Sequence, residues 1–263
     1  MPTTYTHYRF GADVYRQLPP VVQQSIDPYR GLYDIGIHGP DLLFYYKALT
    51  KNPINQTGYS IHEKPGYAFF APAASVIKNM ADPEPALAYV YGFLCHFALD
   101  SICHPYIERM VRKTGISHGA VEAELDRYFL EKDGHPPLSY RPIHHLIPCI
   151  FYARVIERFF PGIGVKSILA CIKSQRFYLS LLVVPGPLRN QLVRRVARLK
   201  SKGISDMIMP YKKIPECVPM CLHMEALYRK QVADALEMIL GYSEYLYGNA
   251  PLDQRLNHTF GEF

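Results

Sequence analysis

His96-Phe97-Ala98-Leu99-Asp100-Ser101-Ile102-Cys103-His104, followed after a gap of thirteen residues by His118-Gly119-Ala120-Val121-Glu122, is the stretch from which the fold of this chain can be read. In a helix, residues four apart differ by only about 40° around the axis. His96, Asp100 and His104 therefore form one stripe, and His118 and Glu122 form a second pair on the next predicted helix. Apolar sequence surrounds the first stripe, with Gly92-Phe93-Leu94-Cys95 before it and Phe97-Ala98-Leu99 inside it. Polar groups buried there without partners would be costly. Imidazole and carboxylate supply the nitrogen and oxygen ligands that zinc takes. The stretch predicts two facing helices with a metal site between them.

Outward from this stretch, the rest of the chain also reads as helical. Residues 4–18 predict a helix carrying His7 and ended by Pro19-Pro20. A short apolar segment at 21–26 leads into a Pro/Gly-punctuated stretch up to Gly39-Pro40, where Pro40 and Asp41 mark a helix start. Residues 50–61 read as a polar loop that delivers His62 to a helix running to about Met80. Asp82-Pro83-Glu84 opens the long helix of the first stripe, which Gly115 ends; Ser117 caps the next helix, which runs to Gly134. Beyond a loop at 135–142, helical patterns recur at 145–160, 165–183, 187–201 and 221–247. Hairpin signals between apolar runs are missing. The expected fold class is all-α: one multi-helix bundle domain over 1–263, with the ligand residues inside 1–130 and supporting helices at 131–263.

With 263 residues, 49% of them hydrophobic and 20% charged, the chain can bury a sizeable core and is not expected to be disordered. A net charge of +6 favours anionic partners. Cys95, Cys103, Cys149, Cys171, Cys217 and Cys221 are expected to be reduced thiols, Cys217 and Cys221 making a lone CxxxC without a second pair. The start Met-Pro-Thr-Thr-Tyr does not read as a signal peptide, and no apolar run of eighteen residues stands out, so a cytoplasmic location is expected. The segment Arg189–Lys202 places Leu188, Leu192, Val196 and Leu199 on one helix face and is rich in arginine. It reads either as a solvated face or as one in peripheral contact with an anionic membrane.

Taken in order, His7, Asp41, His62, His96, Asp100, His104, His118 and Glu122 resemble the ligands of the zinc-dependent phospholipase C family, which is related in fold to the single-strand-specific P1/S1-type nucleases. The spacing H-x3-D-x3-H-x13-H-x3-E carries the resemblance, which covers roughly residues 1–130. It implies an all-helical fold holding two to three zinc ions. Asp41, His62, His96 and Asp100 would hold one; His104, His118 and Glu122 would hold the second. Asp100 would bridge to a third, completed by His7 and the chain's amino terminus, either Pro2 after loss of Met1 or Met1 itself. Secreted members of the family use an N-terminal tryptophan there, and this sequence contains no tryptophan. Asp41 would also orient the attacking water or accept its proton.

The implied activity is hydrolysis of a phospholipid head-group phosphodiester. Two other readings stay open: a single-strand nuclease acting on nucleic acid, with a base-stacking pocket, and a metal-stabilised binding protein without turnover. No protein partner is inferred. Phosphatidylcholine-preferring members resemble one another in an acid near the N-terminus and an aromatic after the metal-binding Asp. Here Leu42 follows Asp41 and no acid precedes Asp13, so choline selectivity is not expected. Tyr45, Tyr46, Tyr59, Tyr67, Phe69 and Phe70 read as core or as an acyl or base pocket. His38, His223 and His258 are expected in the core or on the surface, and His135, His144 and His145 facing solvent.

Overall fold

The computed structural model describes residues 4–248 and 250–261, and every regular element among them is helical. The α-helices are α1 (Thr4–Gln17), α2 (Pro20–Ile26), α3 (Arg30–Gly36), α4 (Pro53–His62), α5 (Tyr67–Lys78), α6 (Glu84–Thr114), α7 (His118–Lys132), α8 (Ile150–Glu157), α9 (Val165–Leu182), α10 (Pro187–Lys200), α11 (Lys202–Asp206) and α12 (Val218–Tyr247). A 3-10 turn at Gly39–Tyr45 separates α3 from α4.

Helix α6 is the axis of the molecule. Every residue from Pro85 to Asp100 is buried, because neighbours cover it on all sides. By length and composition α6 would suffice to cross a membrane, but 89% of its most apolar window lies inside the fold. It stops at Gly115, whose φ of 72° belongs to the left-handed region and whose N–H donates to the Val111 carbonyl at 2.9 Å. Against one side lies α3, and the two backbones come within van der Waals contact at two glycines. A Cβ at Gly92 would collide with the Tyr33 carbonyl oxygen, and one at Gly36 with the Tyr89 carbonyl oxygen. The long α12 packs along another side, tied by Tyr91 Oη to Ser243 Oγ at 2.7 Å and by Tyr242 Oη donating to the Phe70 carbonyl at 2.8 Å. Helices α1 and α7 flank the C-terminal half of α6, and buried apolar side chains join in one cluster from Tyr5 to Phe260.

Several local expectations change. Residues 50–61 are not a loop, since α4 occupies Pro53–His62. Its start is encoded by Asn52, whose side chain accepts the N–H groups of Ile54 and Asn55 while the Asn55 side chain accepts from the Asn52 N–H. This reciprocal cap, with Pro53 at the first position, outweighs the polar composition that suggested a loop. The Pro/Gly-punctuated stretch at 27–39 contains α3, held by its packing on α6. Helix α8 begins only at Ile150, after Pro148, and Arg176 donates to the carbonyls of Ile143 and Leu146 in the segment before it. Ser117 stands before α7 but does not cap it; its hydroxyl donates to Asp206 at 2.6 Å. All six cysteines are free thiols. Burial pushes Cys217 and Cys221 up to about 12, which disfavours the thiolates a zinc ion would require.

Candidate metal centre

The eight described ligand candidates come from five elements and gather along the middle of α6. His7 projects from α1, Asp41 from the 3-10 turn, His62 from the end of α4, His96, Asp100 and His104 from α6, and His118 and Glu122 from α7. Their ligand atoms fall into three groups: His7, His96 and Asp100; Asp41, His62 and His96; and His104, His118 and Glu122. Met1 and Pro2 lie outside the described residues, so the expected amino-terminal ligand has no described position.

Asp100 faces two ways. Its Oδ2 lies 3.1 Å from His96 Nε2 and 3.8 Å from His62 Nε2, and its Oδ1 lies 3.1 Å from His7 Nε2 and 3.6 Å from His104 Nε2. Asp41 Oδ1 stands 3.1 Å from His62 Nε2. In the third group Glu122 Oε1 lies 3.2 Å from His118 Nε2 and 3.6 Å from His104 Nε2. Zinc bonds of 2.0–2.2 Å in tetrahedral arrangement put neighbouring ligand atoms about 3.3 Å apart. These spacings would suit ligand atoms disposed around shared centres.

The protein orders these side chains from behind. His62 Nδ1 is 2.9 Å from the Gly58 carbonyl, one helical turn earlier, and His118 Nδ1 is 2.7 Å from Glu108 Oε1. Each contact holds a proton on Nδ1 and turns Nε2 inward, the usual outer support of a metal-binding imidazole. His96 is fully buried; its Nδ1 has no hydrogen-bond partner among the described residues, and its Nε2 faces only carboxylate, Asp100 Oδ2 at 3.1 Å. A buried imidazole left so is the donor a metal ion would satisfy. Gly39, with φ of 50°, lies flat against the His96 ring, where any Cβ would collide.

Charge is concentrated without solvent to screen it. Burial alone would raise the Asp100 carboxyl, but His104, His96 and His7 around it hold it well below the usual carboxylate range. Burial opposes ionisation of Glu122 as well, and the positive charges around it, the chain's amino group first and then His118 and His104, hold it well below the usual carboxylate range. His118 is held down by burial yet ends near 9 because Glu122 and Glu108 flank it. For His96 burial wins over Asp100, and its imidazole stays neutral with a lone pair to offer. The same carboxylates draw His7 and His62 towards the protonated form, and a zinc ion bound there would take the place of those protons.

Four supporting residues were not marked by the sequence. Asp126 continues the 118/122 stripe by one more step of four, a signal available in the spacing. Its Oδ2 accepts the Tyr5 N–H at 3.2 Å and its Oδ1 the Thr6 N–H at 2.9 Å, anchoring the start of α1 one residue ahead of His7. Glu108, one helical turn beyond His104, supports His118. Phe260 and Gly261 come from the far end of the chain. The Phe260 ring is fully buried, 5.3 Å from His62, 6.0 Å from His96 and edge-on to Phe97 at 5.0 Å, while the Gly261 backbone crosses His104. No local pattern marks them.

His145 is buried and not solvent-facing: Tyr8 stacks on it at 4.3 Å, and its Nε2 lies 2.7 Å from His38 Nε2. Burial pushes His38 down to about 3, so this pair is neutral. His144 is exposed and His135 half-buried, and His223 and His258 are exposed. Of the aromatics, Tyr45, Phe69 and Phe70 are core, whereas Tyr59 and Tyr67 are about half exposed. Phe44 bridges Tyr59, at 4.2 Å, to His62, at 5.3 Å.

A family model described as zinc dependent phospholipase C matches residues 6–161, more than half of the chain and a span that contains every ligand candidate from His7 to Glu122. Nothing among the curated proteins or the solved structures matches the chain.

Proposed function

From the premise that the chain belongs to the zinc-dependent phospholipase C family, we propose that it hydrolyses a phospholipid phosphodiester, releasing diacylglycerol and the phosphorylated head group. The observation that carries this reading is the two-faced Asp100 carboxylate, with Oδ2 turned to His96 and His62 and Oδ1 turned to His7 and His104. One carboxylate between imidazoles on both sides fits a cluster better than isolated ions. Asp41, His62, His96 and Asp100 would hold one zinc and His104, His118 and Glu122 a second. Asp100 and His7, with the amine of Pro2 or Met1, would hold a third. Zinc held there supplies Lewis acidity, lowering the pKa of an attacking water from 15.7 towards about 7 and drawing charge from the phosphoryl oxygens. Asp41, half-buried and paired through Oδ1 to His62, orients that water with its carboxylate and takes up its proton.

A lipid substrate is favoured by an apolar pocket of about 300 Å³ between α4, α5 and the end of α8, lined by none of the ligand candidates themselves. Ile61, Ala68, Phe69, Val76 and Phe159 line it, Lys64 and Arg158 stand at it, and Ile61 directly precedes His62. The apolar residues would suit an acyl chain, and the two cations an anionic group of the lipid at the pocket's edge. The nuclease reading draws on a different feature, the Phe44–Tyr59 pair against His62, which offers a partly exposed face for stacking a base. The zinc-loaded protein is tested on a chromogenic phosphodiester, on phospholipid micelles and on single-stranded DNA, alongside metal analysis and the mass of the N-terminal peptide. Hydrolysis of the chromogenic ester and the micelles is expected. Cleavage of DNA alone would replace the lipid reading with the nuclease one. Turnover of none by protein carrying its zinc would leave a metal-stabilised binding protein.

A further inference from the structure

Helix α10 is mounted the wrong way round for a soluble protein. An amphipathic helix on a globular surface normally turns its apolar face to the core. Here Leu188, Leu192, Val196 and Leu199 share one face and are 82%, 63%, 53% and 89% exposed. The face that meets the body is polar. Asn190 is buried, its amide donating to the carbonyls of Val184 at 3.2 Å and Met209 at 3.0 Å and accepting the Tyr211 N–H at 3.1 Å. Arg194 donates to the Ile208 carbonyl at 2.7 Å. These contacts fix the rotation of the helix and hold the leucines outward.

Cations border that outward stripe, and α10 contains no acid. Arg189 lies along one edge and Arg195 and Arg198 along the other, all exposed. Arg194, Arg195, Arg198 and Lys212 also line a polar cleft of about 410 Å³, in which the single acid, Asp206, is engaged by the Ser117 hydroxyl. An apolar ridge between rows of arginine, with a cationic cleft beside it, matches a lipid surface: acyl chains below, anionic head groups at the level of the charges.

We propose that α10 is an interfacial helix that docks this protein on an anionic phospholipid bilayer, with Leu188, Leu192, Val196 and Leu199 entering the acyl boundary and Arg189, Arg195 and Arg198 at the head-group phosphates. Nucleic acid would use the arginines and leave the four apolar side chains in water. A second copy of the chain, related by a two-fold axis along this face, would set the arginines against their own counterparts. The bilayer satisfies both halves of the face.

Vesicle co-sedimentation of the full-length protein tests this, with vesicles of phosphatidylcholine alone and of phosphatidylcholine mixed with phosphatidylglycerol. Binding is expected only to the mixed vesicles. Arg195→Gln with Arg198→Gln should weaken it about 25-fold, at about five-fold per charge. Leu192→Ser with Leu199→Ser should weaken it by about ten-fold or more. Circular dichroism and hydrolysis of a soluble chromogenic phosphodiester should be unchanged in both variants, because all four side chains are exposed and outside the metal centre. Vesicle binding needs no turnover, so failure of docking and failure of the phosphodiesterase reading are separate results. The proposal is overturned by equal binding to neutral and mixed vesicles, by no binding to either, or by retained vesicle binding in the serine variant. Concentration-dependent dimers lost in that variant would assign the face to a second copy and overturn it too.

Discussion

One oxygen of Asp126 holds Thr6 twice: Oδ1 accepts the Thr6 backbone N–H at 2.9 Å and the Thr6 hydroxyl at 2.7 Å. The contact joins α7 to the first turn of α1 and sets His7, the next residue, within 3.1 Å of Asp100. A carboxylate at a helix N-terminus satisfies N–H groups that would otherwise lack partners.

That carboxyl is buried, and burial pushes it up to about 7 despite the donors from Thr6 and Tyr5. Its folded value thus lies above the unfolded value of about 3.9, and between the two the native state holds the extra proton. The stability it confers is complete below about pH 4 and is lost as the pH rises through about 7. Asn at this position does not titrate. In urea unfolding across that window, the stability of the wild type relative to Asp126→Asn should fall with rising pH, by at most about 1.4 kcal/mol for each pH step of one. A difference that stays flat or grows with pH would contradict it.

Asp100→Asn removes the charge shared by the groups on its two sides, whereas His104→Ala touches the His118–Glu122 group and leaves Asp41, His62 and His96 intact. Metal analysis after gel filtration should show the asparagine variant depleted at more than one site and the alanine variant depleted at one. Equal depletion in the two variants would mean that Asp100 is not the bridge.

Glu108→Gln keeps the size of the side chain and removes the charge behind His118 Nδ1. Loss of such outer support typically weakens metal binding 10–100-fold. Competition with a zinc indicator should show one site weakened to about this extent while the remaining zinc stays tightly bound. Unchanged affinity at every site would make the Glu108 contact incidental.

Two glycine-to-alanine changes should move in opposite directions. In Gly92→Ala the new methyl meets the Tyr33 backbone, which cannot rotate away, so α3 must shift from α6. A loss of about 1–3 kcal/mol is expected. Gly241, in α12, has open space where a Cβ would sit, and Gly241→Ala should gain up to about 1 kcal/mol from helix propensity. Thermal unfolding of the two variants gives the comparison, and a stable Gly92→Ala would refute the close α3–α6 approach.

The helices themselves were legible where local rules act undisturbed. Gly115 ends α6 and Pro19-Pro20 closes α1 because left-handed backbone and proline constrain the chain whatever packs against it. The misreading at 50–61 has an equally local cause: a reciprocal asparagine cap at Asn52 and Asn55, hidden inside a polar sequence that resembles a turn.

By itself the sequence determined the all-helical class and the polar stripes of α6 and α7, since four-residue spacing in a helix fixes which side chains share a face before any neighbour exists. Only the tertiary structure decided what those faces meet. It turned the two oxygens of Asp100 to different imidazoles, brought Phe260 from the far end of the chain against His62 and His96, buried His145 against His38, and faced the leucines of α10 outward. These are contacts between residues distant in the chain, or orientations set by them. Periodicity defines a face and leaves its partner open; packing and hydrogen-bond satisfaction across the whole fold choose it.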